Sequence, residues 1–289
     1  MSLEEAERLK AMIAARPEAA SLAERREGFE AMAARMPVPD GTQAREAELG
    51  GVPGRWVAAP GATGAHAMLW LHGGAFVLGS SKSYAAFCAR LSAASGARVF
   101  CPDYRLAPEH PFPAALDDAE AAWRALAAGD DETLWLGGDS CGGNLAVAAL
   151  HRQAKRGGRM PDAFYLVSPY LDLTHTGESI GERGHRDVFV RPEAMDATAR
   201  IYLGGADPAD EGASPLFGDV AGFPRTLIQV GGDESLYSDA ERMAGKLRDD
   251  GIDAELHEAP GMMHVYPFFA PWLQEGADAV EHAGRWLRG

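Results

Sequence analysis

Gly138-Asp139-Ser140-Cys141-Gly142 sets one serine between two glycines, directly after the apolar run Thr133-Leu134-Trp135-Leu136 and before a helical stretch carrying Leu145, Ala146, Ala149 and Leu150. A strand, a G-x-S-x-G turn and a helix make a nucleophile elbow, a sharp turn that holds its serine in a strained backbone conformation. Glycine at both flanks removes side chains that would collide with neighbouring elements. The turn lifts the hydroxyl off the carboxyl edge of a sheet, and the helix behind it offers unpaired N–H groups and the positive end of its dipole. Such a group is suited to attack a carbonyl carbon while main-chain amides hold the oxyanion.

A serine at its free pKa is a poor nucleophile, so a base and an orienting acid must follow it. Asp233 comes after the strand-like Leu227-Ile228-Gln229-Val230 and the turn Gly231-Gly232, with Glu234 beside it as a competing carboxylate. His264 lies in the loop Pro260-Gly261-Met262-Met263 that follows a strand expected at 254–258. The order serine, acid, histidine, each at a strand's carboxyl end, is the one this elbow calls for. His66, His110, His151, His175, His185, His257 and His282 lack that placement and read as surface or packing residues. His72 opens a second glycine cluster, His72-Gly73-Gly74-Ala75-Phe76, after a strand expected at 67–71. A turn of that kind points backbone N–H groups at a bound carbonyl oxygen, with His72 bracing it by hydrogen bonding.

These residues need a scaffold, and the rest of the chain supplies the pattern for one. Strands are expected at 52–58, 67–71, 98–101, 133–136, 163–167, 226–230 and 254–258, with helices at 84–94, 114–127, 142–156, 239–250 and 272–287. Alternating strands and helices imply a mostly parallel sheet covered on both faces. Two amphipathic helical stretches precede it, and the segment 174–210, with one helix expected at 192–203, breaks the alternation as an excursion over the sheet. We therefore expect N-terminal helices over 1–45 and one catalytic α/β domain over 46–289 that carries the excursion.

With 289 residues, 27 Lys and Arg against 42 Asp and Glu and a formal net charge of -15, the chain is a poor partner for nucleic acid or anionic membrane. Its apolar runs are too short to span a bilayer, and the start MSLEEAERLK lacks the apolar core of a signal peptide. Cys88, Cys101 and Cys141 have neither an even count nor CxxC spacing, which argues against a disulfide framework or zinc site. The expectation is a soluble cytoplasmic protein without metal or organic cofactor.

His72-Gly73-Gly74-Ala75-Phe76, the block from Asp103-Tyr104-Arg105-Leu106-Ala107-Pro108 to Glu109-His110-Pro111-Phe112-Pro113-Ala114, the Ser140 elbow through Gly143-Asn144, and the segments around Asp233 and His264 together resemble the hormone-sensitive-lipase family of bacterial carboxylesterases. The resemblance implies an α/β-hydrolase fold, a mostly parallel central sheet flanked by helices, with a helical cap made from the N-terminus and the excursion. It implies a triad of Ser140, Asp233 and His264, an oxyanion hole from the N–H groups of Gly74, Ala75 and Cys141, and hydrolysis of short-chain esters through an acyl-enzyme. Ala75 stands where the family carries a third glycine, and Cys141 where it usually has alanine. A backbone donor survives either change. Cys141 reads as a small hydrophobe, and the Asp103 to Pro111 block as a rigid loop held by an ion pair. Amide, lactone or thioester hydrolysis, acyl transfer to an alcohol, and a non-catalytic ligand receptor on the same fold stay open from the residues alone. So does the oligomeric state, homodimers being common among similar proteins.

Overall fold

The computed structural model describes residues 2–15, 19–62 and 65–289. Its centre is a sheet in the spatial order β1-β2-β4-β3-β5-β6-β7-β8, formed by β1 (Gln43–Leu49), β2 (Val52–Ala58), β3 (His66–Leu71), β4 (Arg98–Pro102), β5 (Thr133–Asp139), β6 (Ala163–Val167), β7 (Thr226–Gly231) and β8 (Ala254–Ala259). From β4 through β8 every neighbouring pair is parallel, and β1 and β2 are joined to that edge antiparallel. The seven expected strands are all present.

β5 and β6 are apolar with almost no exposed position, as strands covered on both faces require. Alternation along β3 divides the core: Ala67, Leu69 and Leu71 join one cluster with α4 (Ala114–Ala127), α5 (Cys141–Lys155) and α8 (Tyr237–Asp249), while Met68 and Trp70 join the other with α3 (Ala85–Ser95) and α9 (Gln274–Arg288).

β1 is the strand that sequence pattern did not reveal. Its residues QAREAEL are mostly exposed, so no apolar alternation marks them. Its one signal is the two-residue Gly50-Gly51 turn, both at positive φ (62° and 84°), which closes a hairpin onto β2. β1 starts at Gln43, so the sheet begins before residue 45.

α1 (Ser2–Ala14) and α2 (Leu22–Ala33) bury Ala6, Leu9 and Met32 in the cluster that also holds Tyr84, Met262 and Phe268. The excursion after β6 carries α6 (Ser179–Arg183) and α7 (Pro192–Leu203), and Tyr202 of α7 stacks on Phe76 at 3.6 Å between ring centroids. No helix among the described residues is long and apolar enough to cross a membrane.

Candidate active site

Ser140 sits at the join of β5 and α5 with φ 52° and ψ -123°, a conformation that costs a non-glycine residue of order 1–3 kcal/mol. Neighbouring strands hold it there. Its N–H donates to the Val167 carbonyl at 2.9 Å, and its carbonyl accepts from Tyr170 N at 3.0 Å and Asn144 N at 3.2 Å. Gly142 is obligatory in this packing, since a Cβ would lie 2.0 Å from the Leu71 carbonyl oxygen.

His264, from the loop after β8, meets the serine: its Nε2 is 3.0 Å from Ser140 Oγ. Its Nδ1 is 2.7 Å from Glu234 Oε2, so the N–H sits on Nδ1 and Nε2 is the acceptor for the serine hydroxyl. Burial acts to lower the His264 pKa, but the Glu234 hydrogen bond and charge, with lesser help from Asp187 and Asp139, outweigh it and raise the value above the ordinary 6.5.

The carboxylate beside the imidazole is thus Glu234, and not Asp233 as the sequence led us to expect. In the tight turn that ends β7, successive side chains face opposite ways. Asp233 turns outward, accepting from Lys10 Nζ of α1 and from Arg186 Nη1 of the excursion, both at 2.8 Å. Glu234 turns inward and is fully buried, where its Oε1 accepts from Gly231 N at 2.5 Å and Ser168 Oγ at 2.7 Å. Ser168 Oγ also accepts from Val265 N at 3.0 Å, tying the histidine loop to the acid. The extra methylene of Glu234 lets its carboxylate curl back to the strand end while still reaching the ring.

The loop after β3 lies against the elbow. Gly74 has φ +127° and a Cβ there would lie 2.1 Å from the Leu78 carbonyl oxygen; Ala75 and Phe76 follow at 55° and 62°. This run of positive φ bends the chain toward the elbow, where Ala75 lines both cavities and Gly74 the larger one. The loop is anchored from beneath by Asp139, which accepts from Gly73 N at 3.0 Å, Trp70 Nε1 at 3.2 Å and Tyr84 Oη at 2.6 Å. Burial pushes Asp139 up to about 6 against the pull of Tyr84 and the other donors. The sequence signal for this anchor is an acid beside the nucleophile at the end of a buried strand. His72 packs under the same loop, its Nδ1 2.8 Å from the Gly73 carbonyl, and burial pushes it down to about 4. It therefore stays neutral and braces the turn. Cys141 accepts from Phe76 N at 3.1 Å through its sulfur, and burial pushes the thiol up to about 12, leaving it inert as a nucleophile.

Two cavities meet at Ser140 and Ala75. One, of about 390 Å³, runs between Tyr170, Met195 and Leu236; the other, of about 750 Å³, lies between α2 and the histidine loop and is lined by His264, Gly74, Phe29 and Phe268.

The sequence matches the alpha/beta hydrolase fold family over residues 68–268. It is 38% identical over 242 residues to an acetyl-hydrolase of Streptomyces hygroscopicus, covering 83% of this chain and 81% of that protein. An esterase of Acinetobacter venetianus is 36% identical over 241 residues, covering 82% and 79% of the two chains. Among solved structures, an esterase from the bacterial hormone-sensitive lipase family superimposes with a TM-score of 0.94 at 40% identity, covering 99% of this chain and 97% of that one. The chain belongs to the bacterial hormone-sensitive-lipase family.

Within this member of the hormone-sensitive-lipase family, the block from Asp103 to Pro111 is structural, as expected. Arg105 pairs with Asp118 through both carboxylate oxygens, Asp103 accepts from Ser81 N at 2.6 Å and Ser81 Oγ at 2.9 Å, and Tyr104 Oη donates to the His72 carbonyl at 2.6 Å. Tyr84, Tyr170, Met195 and Val265 are among the aromatic and apolar residues that line the cavities beside Ser140. Phe76 and Tyr202 are core partners of each other, and Tyr266 is buried on the far side of its loop against α9.

Proposed function

We propose that the protein is a carboxylesterase that cleaves short-chain esters by two-step acyl transfer, with Ser140 as nucleophile, His264 as general base and Glu234 as the acid that orients it. The observation that carries this is the unbroken line from Ser140 Oγ to His264 Nε2 (3.0 Å) and from His264 Nδ1 to Glu234 Oε2 (2.7 Å), opening onto two cavities. Relatives named esterase and acetyl-hydrolase support it. His264 takes the serine proton, Ser140 Oγ bonds to the ester carbon, and the N–H groups of Gly74, Ala75 and Cys141 hold the oxyanion. The imidazolium then gives its proton to the departing alcohol, and water repeats the sequence on the acyl-enzyme.

The two cavities divide the substrate between them. Because His264 must protonate the alcohol, the alcohol belongs in the larger cavity, which His264 lines, and the acyl chain in the smaller one, which it does not. In this reading the N-terminal helices and the excursion over 174–210 act as the cap, with residues of α2 and of the excursion lining both cavities. The net charge of -15 and three free, buried cysteines favour a cytoplasmic enzyme acting on small esters, with no nucleic-acid partner. The test is labelling by a fluorophosphonate and turnover of an ester series. Wild type should be labelled at Ser140 and prefer short acyl chains. Ser140→Ala should keep its fold by circular dichroism and lose both labelling and turnover; persistent turnover rejects the nucleophile, and a long-chain preference rejects the short-chain reading.

A further inference from the structure

We infer that the preferred acyl group carries its own carboxylate, so that the substrates are half-esters of dicarboxylic acids. This deepens the esterase reading and rests on it. The chain carries a net charge of -15, yet the charged side chains lining the smaller cavity, among the described residues, are two arginines, Arg25 and Arg191. No aspartate or glutamate lines it among them. Arg25 reaches it from α2 and Arg191 from the residue that precedes α7, so the two guanidinium groups come from the two segments that cover the site.

Both arginines are exposed to solvent and, among the described residues, neither guanidinium has a protein partner, whereas Arg26 holds Glu109 through both carboxylate oxygens and Arg186 holds Asp233. The planar fork of an arginine matches a carboxylate in two parallel hydrogen bonds. The rest of the lining is mostly apolar, with Tyr170, Met195 and Leu236 available to methylene groups. The cavity thus holds the nucleophile together with two cations free to take an anionic ligand, which fits an acyl chain ending in a carboxylate. The larger cavity differs, since Glu24 lines it alongside Arg25 and Arg35. The chemistry is that of any ester: the bond from Ser140 Oγ to the acyl carbon forms as the alkoxy bond breaks and the alcohol takes the proton from His264. Water then releases the dicarboxylate.

The test compares kcat/KM for monoethyl adipate and ethyl hexanoate, matched in acyl length, by pH-stat at low ionic strength. Wild type should favour the half-ester, and the preference should fall by roughly tenfold or more in R25Q/R191Q, as expected for losing a charge-assisted hydrogen-bonded pair. Added salt should erode it in wild type. Free adipate should inhibit hydrolysis of ethyl hexanoate competitively, and more weakly in the double variant. A wild-type ratio at or below one, or a ratio that the double substitution leaves unchanged, overturns the inference while the esterase reading stands. Failure to hydrolyse either ester overturns both.

Discussion

His264 has two demands to meet: it must be neutral to accept from Ser140, and it must be held in one orientation by an acid that itself favours its charged form. Glu234 raises the His264 pKa despite burial. A raised base is neutral only above a raised pH, so kcat/KM should climb with pH through a midpoint above the ordinary imidazole value of 6.5. Glu234→Gln removes the charge that raises it, so the limb should move to lower pH while the rate at its plateau falls by roughly a thousandfold or more. Asp233→Asn tests the neighbouring carboxylate. It loses the ties to Lys10 and Arg186, and we expect less than about a tenfold effect on kcat, because neither tie touches the reacting atoms. A larger loss in Asp233→Asn than in Glu234→Gln, with the pH limb moving in the former, would reverse the assignment. The two residues are adjacent in sequence, and strand order alone could not separate them. What separates them is which way each side chain faces in a turn of one residue's pitch.

At the scale of elements, the oxyanion loop depends on segments far from it in sequence. Arg26 of α2 donates from Nε to the Val77 carbonyl at 2.7 Å and from Nη2 to the Ala107 carbonyl at 3.0 Å, while Glu109 holds the other edge of its guanidinium. It fastens an N-terminal helix to the loop that carries Gly74 and Ala75. Arg26→Ala should therefore lower kcat by roughly tenfold, the scale of one charge-assisted hydrogen bond, with little change in melting temperature because the side chain is partly exposed. A Tm loss with kcat intact would instead make Arg26 a stability residue only. Such ties mark the limit of what the sequence discloses. Glycine spacing reveals the elbow and the loop because backbone approach distances dictate residue type, as the Leu71 oxygen does for Gly142. Apolar runs reveal β3, β5 and β6 because both their faces are covered. A polar edge strand such as β1 leaves no such mark, and long-range pairs such as Arg26 with Val77 leave none at all.

For the whole molecule, buried titrating groups decide how stability answers to pH, and they pull in opposite directions. Burial pushes His72 and His151 down from 6.5 to about 4, so both are neutral when folded and take up protons on unfolding. Their contribution is complete above pH 6.5 and drains away as pH falls toward about 4. Asp139 and Asp239 act with the other sign. Burial pushes both up from 3.8 to about 6, so the folded chain keeps protons that the unfolded chain would release, and folding gains as pH falls through that window. Two downward and two upward displacements of similar size cover nearly the same range and offset each other. Below it, Asp172 takes over: burial opposes its charge, but the Thr174 and Thr176 hydroxyls and Arg242 prevail and hold it at about 2, so its contribution is lost as pH falls from 3.8 to 2. Glu109, also held at about 2 by Arg26, is exposed and adds little. The melting temperature should then be nearly level between pH 6.5 and about 4 and drop steeply below, as read by scanning calorimetry in matched ionic strength. His151→Leu removes one of the two declining contributions without touching the reactive centre. In that variant the level stretch should tilt so that Tm rises as pH falls from 6.5 to about 4, whereas an unchanged profile would mean that His151 does not titrate between the folded and unfolded chains.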